Sequence, residues 1–248
     1  MAPVLTAVSE HVHLAQTPLV NWTVVTDDSG VMLIDAGFPG HRDDVVTSLR
    51  QLGFAPGDVR AILLTHAHID HLGSAIWFAG THGIPVYTHA GEVAHATRDY
   101  LEQASPAALV AHAWRPRWLR WSAAVARKGG LVRDGIPGTR ALTAEIAATL
   151  PGRPVALPTP GHTSGHCSYV VGRVLVSGDA LVTGHPLSQR RGPQLLPSVF
   201  NHSDDDCARS LSVLATAGTE ILIPGHGDVW TGPIADAARM ADRSAAPT

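Results

Sequence analysis

Apolar and polar positions alternate in short blocks through the first third of the chain. Runs at roughly Val4 to Leu14, Asn21 to Thr26 and Val31 to Asp35 have the length and β-branched content of strands, with a turn at Asp27-Asp28-Ser29-Gly30. The period then changes. Apolar residues spaced for one helical face run from about Arg42 to Leu52, closed by Gly53, and Ala61 to Thr65 is apolar enough for a buried strand. A further strand-helix-strand passage runs from Gly73 through Ile84 to Thr88. Near the end, strands at Arg173 to Ser177 and Glu220 to Ile223 flank a helix at Asp204 to Ala217. This alternation predicts an α/β architecture in which helices cover sheets.

Two regions break the rhythm. From about Gly91 to Leu150 there is no convincing strand; the segment is Ala-rich and helical, interrupted at Pro116, Gly129-Gly130 and Pro137-Gly138. It reads as a helical insertion or cap. Thr183 to His202 carries Pro186, Pro193 and Pro197 with little periodicity, and reads as a long ordered loop. The tail after Arg243 is expected to fray. With no internal repeat, residues 1–248 are expected to form one domain carrying the insertion at about 91–150.

Composition sharpens this. A chain of 248 residues with 45% hydrophobic content can bury one sizeable core. Its formal charge of -3 builds no field for gathering nucleic acid, so a nucleic-acid partner is not expected. No stretch approaches the roughly 18 apolar residues of a membrane span, and the start lacks a basic leader, so a soluble cytoplasmic protein is expected. Two cysteines, Cys167 and Cys207, make no disulfide framework. Histidine is the outlier, at 15 residues against 18 Lys plus Arg. Spacing decides whether that matters.

Leu64-Thr65-His66-Ala67-His68-Ile69-Asp70-His71 follows a buried strand and precedes a helix, and so lies in a loop at a strand's C-terminal end. His66, His68, Asp70 and His71 put imidazole nitrogens and a carboxylate within one short loop, the donors that suit zinc. Three later segments share the order apolar strand, turn, polar residue: Pro160-Gly161-His162-Thr163, Ser177-Gly178-Asp179-Ala180 and Pro224-Gly225-His226-Gly227-Asp228. In each a glycine precedes the candidate ligand, which permits a tight turn at a crowded site.

The ordered set HxHxDH, GHT, GDA and PGHG resembles the metallo-β-lactamase superfamily, over roughly Asn21 to Asp228. The resemblance implies a four-layer αββα sandwich with the site at one edge. It also implies two metal ions, zinc first and iron or manganese as other candidates, with His66, His68 and His162 on one, Asp70, His71 and His226 on the other, and Asp179 bridging. Asp35 resembles the family's supporting aspartate near this loop, or else caps a turn at a strand end. His166, in the GHTxGH variant, is read as structural support.

Two divalent ions can lower the pKa of a shared water and present it as a metal-bridging hydroxide. The expected reaction is hydrolysis of a small-molecule ester, thioester or lactone, with Asp70 orienting the nucleophile and shuttling its proton. About twenty residues follow His226, too few for the helical domain of glyoxalase II, and Val182 stands where many lactonases have tyrosine. A mononuclear iron persulfide dioxygenase using His66, His162 and Asp179, a metallo-phosphodiesterase and a non-catalytic binding protein are the alternatives. In the insertion, Trp114, Trp118 and Trp121 share a helical face, and seven basic residues between Gln103 and Ala144 meet one acid, Asp134. That face reads as a substrate cap, as packing onto the core, or as an interfacial or homodimer surface.

Overall fold

The computed structural model describes residues 3–104 and 114–245. The centre of the expected insertion, 105–113, and the last residues of the tail, 246–248, lie outside the described residues. Twelve strands among the described residues form two mixed sheets. The first sheet has the order β1 (Val4–Ala7), β2 (Val12–Gln16), β3 (Asn21–Asp27), β4 (Gly30–Ile34), β5 (Val59–Leu63), β6 (Val86–Thr88) and β7 (Arg140–Ala141). The second runs β12 (Trp230–Thr231), β11 (Ile221–Pro224), β10 (Val174–Gly178), β9 (Cys167–Val171) and β8 (Val155–Pro158).

Strict alternation along the central strands makes this a four-layer stack. In β4, Val31 and Leu33 face one apolar cluster while Met32 and Ile34 face another. In β10, Val174 and Val176 point to that second cluster and Leu175 to a third. Both faces of each sheet are therefore buried, which is why these strands read as near-continuous apolar runs.

The outer layers are helices. On the first sheet, α1 (Arg42–Gln51) turns Val45 and Leu49 inward, and α2 (Ile69–His82) turns Leu72, Ala75 and Phe78. On the second, α6 (Asp204–Ala215) contributes Leu211 and Leu214, and α7 (Ile234–Ala245) contributes Ile234, Ala237, Ala238 and Ala241, one stripe at helical spacing. Between them in sequence come α3 (Val93–Thr97), α4 (Pro116–Arg127) and α5 (Ala144–Ala147). No helix among the described residues is long and apolar enough to cross a membrane.

The structure departs from the sequence reading in places. The run expected as one strand from Val4 to Leu14 is a hairpin, β1 and β2, reversing at 8–11. The 91–150 segment contains a strand after all: Arg140–Ala141 pairs in parallel with β6 at the sheet edge. Two residues carry no period, so this strand had no signal. Strand β12 and helix α7 were likewise unread. The second strand-helix-strand passage begins earlier than Gly73, because α2 starts at Ile69 and takes Asp70 and His71 into its first turn.

One buried histidine ties the fold to pH. His41 is 2% exposed, packed on Trp22 and Phe38, and its Nδ1 accepts the Phe38 N–H at 3.2 Å. Burial, reinforced by Lys128 and opposed by Asp44, pushes its pKa down to about 4. The unfolded chain, where histidine titrates at about 6.5, binds this proton over an interval in which the folded chain does not. The contribution of His41 is complete above pH ~6.5 and is lost as pH falls to about 4, roughly 3 kcal/mol in all. In urea unfolding between pH 7 and 4.5, the His41→Asn variant is expected to show a shallower loss of stability than the parent. Parallel pH profiles would contradict this assignment.

Candidate metal centre

Strand direction brings the candidate ligands together. β4, β5 and β6 are parallel neighbours, and so are β10 and β11. The segments after β4 (Asp35), β5 (His66 to His71), β10 (Asp179) and β11 (His226) are thus delivered to one edge of the sandwich, and His162 arrives from the turn between β8 and β9. Hydrogen bonds to backbone carbonyls bind the two sheets at this seam. Cys167 N–H donates to Thr65 O at 2.9 Å, the Tyr169 hydroxyl donates to Leu64 O at 2.9 Å, and Asn21 Nδ2 donates to Pro224 O and Gly227 O at 3.0 and 2.8 Å.

The seven residues expected as ligands lie within one cluster. Three groups have ligand atoms within 4.8 Å of one another: His66, His68 and His162; His66, His71 and Asp179; Asp70, His71 and His226. Asp179 sits between the outer two groups. Its carboxylate lies 3.4 Å from His162 Nε2, 3.2 Å from His226 Nε2 and 3.6 Å from His71 Nε2. Asp70 Oδ2 is 3.6 Å from His226 Nε2 and 3.8 Å from His71 Nε2, and its side chain, at 21% exposure, is the carboxylate of this set that reaches solvent.

Outer hydrogen bonds fix which nitrogen faces inward. Asp35, held at φ 62°, accepts from Thr65 N at 2.8 Å, from Thr65 Oγ1 at 2.7 Å and from His71 Nδ1 at 2.8 Å. Because the Thr65 hydroxyl donates to Asp35, it accepts from His66 Nδ1 at 3.1 Å. His226 Nδ1 donates to Leu19 O at 2.7 Å, and His162 Nδ1 donates to Asn201 Oδ1 at 3.2 Å. Four imidazoles thereby turn Nε2 to the cluster, while His68 presents Nδ1, 2.9 Å from His162 Nε2. His166 is fully occupied elsewhere: Nε2 accepts the Asp179 N–H at 3.1 Å and Nδ1 donates to Thr159 Oγ1 at 2.9 Å. It orients the Asp179 backbone, and burial pushes its pKa down to about 3.

Electrostatics divides the cluster's histidines into two kinds. Burial holds His66 and His68 well below the usual histidine range, and lowers His162. Burial also opposes protonation of His71 and His226, yet the carboxylates of Asp35 and Asp179 hold His71 well above that range, and Asp179 raises His226. Against its own burial, Asp179 is held well below the usual carboxylate range by His226 and His71. Three buried atoms at the centre, His66 Nε2, His71 Nε2 and Asp179 Oδ1, have no hydrogen-bond partner. Such atoms cost roughly 1–3 kcal/mol each unless something binds them. Imidazole nitrogen and carboxylate oxygen donors converging on one point fit divalent metal ions, which would take the place of the protons that His71 and His226 otherwise hold.

Sequence reasoning missed one residue that braces this arrangement. Glu92 is fully buried, and its carboxylate accepts from Ala67 N at 2.8 Å, His95 Nδ1 at 2.7 Å, Thr163 Oγ1 at 2.9 Å and Gly165 N at 3.1 Å. It clamps the His66–His68 loop to the His162 loop. A glutamate in Ala90-Gly91-Glu92 carries no pattern that announces this. His185 and Asn201, within the unpatterned Thr183–His202 loop, were missed for the same reason.

A cavity opens over the cluster, lined by Phe38, Ile69, Trp121, Leu196 and Phe200 around Asp70 and Asp179. Of the three tryptophans, Trp121 lines it, lying 5.7 Å from the Phe200 ring and 6.0 Å from His185. Trp118 stacks behind Phe200 at 6.0 Å. Trp114, 76% exposed with Arg115 over its ring, does not line the cavity. Cys167 and Cys207 are free and buried, each thiol pushed up to about 12 by burial.

Comparison with known proteins identifies the family. The family model of the metallo-β-lactamase superfamily matches residues 17–226, and the chain belongs to that superfamily. A probable metallo-hydrolase of Bacillus subtilis, YflN, is 30% identical over 220 residues, 81% of this chain and 76% of its own. An uncharacterized protein of the same organism, YobT, is 28% identical over 222 residues, 86% of this chain and 85% of its own. The crystal structure of a metallo-β-lactamase family protein from Thermus thermophilus has a TM-score of 0.66 at 24% identity, covering 96% of this chain and 80% of its own. A metallo-β-lactamase of Cronobacter sakazakii gives 0.66 at 19%, covering 98% and 93%. These likenesses establish the αββα fold.

Two substitutions probe the site by metal content. A Cβ on Gly225 would stand 2.1 Å from Asp179 Oδ1, so Gly225→Ala is expected to displace that carboxylate and reduce bound metal in a folded protein. Glu92→Ala, by freeing two loops, is expected to weaken metal affinity about 10- to 100-fold in chelator competition. Unchanged metal content in Gly225→Ala and unchanged affinity in Glu92→Ala would refute these roles.

Proposed function

We propose that this protein is a dinuclear-metal hydrolase cleaving the carbonyl ester, thioester or lactone of a small molecule. The observation that carries this reading is the set of three unpartnered buried atoms where two candidate ligand triads meet. In this reading His66, His68 and His162 hold one ion, Asp70, His71 and His226 the other, and Asp179 lies between them. Zinc suits these donors, and two such ions would supply an acidified shared water and a polarised carbonyl.

The chain's own residues do the rest. With Oδ2 turned to His71 and His226, the Asp70 carboxylate keeps Oδ1 to orient the attacking water and take its proton, and its partial exposure lets that proton leave to solvent. Trp121, Phe200, Leu196 and Phe38 form an apolar wall beside it. That wall holds an acyl chain or ring and excludes water from the reacting carbonyl. The metallo-hydrolase name of the Bacillus relative agrees with this assignment.

Elemental analysis is expected to find about two zinc per chain. Zinc-loaded protein is expected to cleave members of a panel of aryl esters, thioesters and lactones, and Asp70→Asn to lower kcat about 10²- to 10⁴-fold when assayed at saturating zinc. One iron per chain with oxygen consumption would instead favour a dioxygenase. Turnover of phosphodiesters alone would overturn the carbonyl assignment.

A further inference from the structure

We propose that the substrate site has a second arm, beyond His185, which holds an oxyanion (a carboxylate, sulfonate or phosphate monoester) on the leaving-group portion of the substrate. This deepens the hydrolase reading and rests on it. His185 and His226 line both the apolar cavity over the metal centre and a second cleft, bounded by Thr17, Leu19, Ser188 and Gly227. The second cleft carries two guanidinium groups, Arg117 and Arg191.

Arg117 is anchored to the loop, and Arg191 lies beside it with its donors unspent. Arg117 reaches across from α4, its Nε donating to Pro186 O at 2.5 Å and its Nη2 to Ser188 O at 2.6 Å. Its Nη1 has no partner among the described residues. Arg191 folds back on the ligand loop: the point where a Cβ would stand on Gly184 is 3.6 Å from Arg191 Nη1 and 3.5 Å from the Cα of Gly227, next to His226. Among the described residues Arg191 makes no hydrogen bond or ion pair. The carboxylate of Asp228, in the same cleft, accepts from Gln16 Nε2 at 2.9 Å. At the fork, His185 packs 5.0 Å from the His226 ring, and its Nδ1 accepts the Leu187 N–H at 3.2 Å.

Two guanidinium groups against one occupied carboxylate leave the cleft cationic. A planar fork with unspent donors beside it suits an oxyanion. The chain as a whole carries -3, so this charge is local to the cleft. It gives one member of the basic insertion, Arg117, a specific place. The side of the substrate follows from the lining: this cleft touches His226 but not His66, His68 or His162, whereas the apolar wall faces Asp70 and Asp179. An apolar acyl group in one arm and an anionic alcohol or thiol portion in the other would span the reacting carbonyl between them.

Binding and turnover test this separately. Zinc-loaded protein is titrated by fluorescence with 8-anilinonaphthalene-1-sulfonate and with the uncharged N-phenyl-1-naphthylamine. Arg191→Gln is expected to lower the affinity ratio of the sulfonate to the uncharged probe about tenfold, and Arg117→Gln with Arg191→Gln further. Raising salt to about 1 M is expected to lower the same ratio in the parent protein. Turnover of 3-carboxyphenyl against phenyl phenylacetate is expected to show a matching fall in relative kcat/KM, carried by KM. A sulfonate preference unchanged in both variants overturns the proposal, as does an unchanged ester ratio. Arginine-dependent binding without cleavage of either ester sinks the hydrolase reading and leaves the oxyanion arm standing.

Discussion

Burying His66, His71 and Asp179 side by side leaves three polar atoms with nothing in the chain to satisfy them, and much of the surrounding structure is arranged around that unmet demand. An imidazole has two nitrogens, and an outer partner claims one in each of His66, His71, His162 and His226, so that the other is left facing inward. Asp35 shows how far this goes. A non-glycine residue in the left-handed region is strained, and here the strain sets one carboxylate to receive a backbone N–H, a hydroxyl and an imidazole at once.

The sandwich serves this demand through strand direction. Parallel pairing of β4 with β5 and of β10 with β11 sends their following loops to one edge, where the two sheets meet over a shared apolar layer. Neither sheet alone holds a complete candidate triad of the three-histidine kind, since His66 and His68 belong to one and His162 to the other. Glu92 and the Cys167-to-Thr65 backbone bond act across this seam, so site geometry and sheet packing are coupled. A disturbance of either should be felt by both.

What could be read from the chain alone follows the same division. The candidate ligand residues were legible because each stands in a short local motif at a strand end, and the central strands because burial on both faces makes them continuously apolar. The supporting residues were not. Glu92, Asn201 and His185 act through contacts formed only after distant loops meet, and a lone polar residue in an aperiodic segment carries no trace of such a partner. Arg140–Ala141 failed for a different reason, because its pairing is dictated by β6 and two residues are too short for any period. The tryptophan stripe lay between these cases: its helical spacing was visible, but the separate environments of Trp114, Trp118 and Trp121 depend on where Phe200 and His185 come to rest.

The glycines before His162, Asp179 and His226 show why motif and geometry cannot be separated here. Gly178 sits at φ 52°, and a Cβ on it would stand 2.7 Å from Thr65 and 2.8 Å from His166 Nε2, the atom that receives the Asp179 N–H. Gly225 has no positive φ; it is held to glycine by close approach, since a Cβ there would stand 2.1 Å from the Asp179 carboxylate and 2.9 Å from the His71 ring. One glycine is required by backbone conformation together with close approach, the other by close approach only. A sequence motif records both as the same letter, and only the assembled site separates a turn that must bend from a backbone that must make room for a ligand.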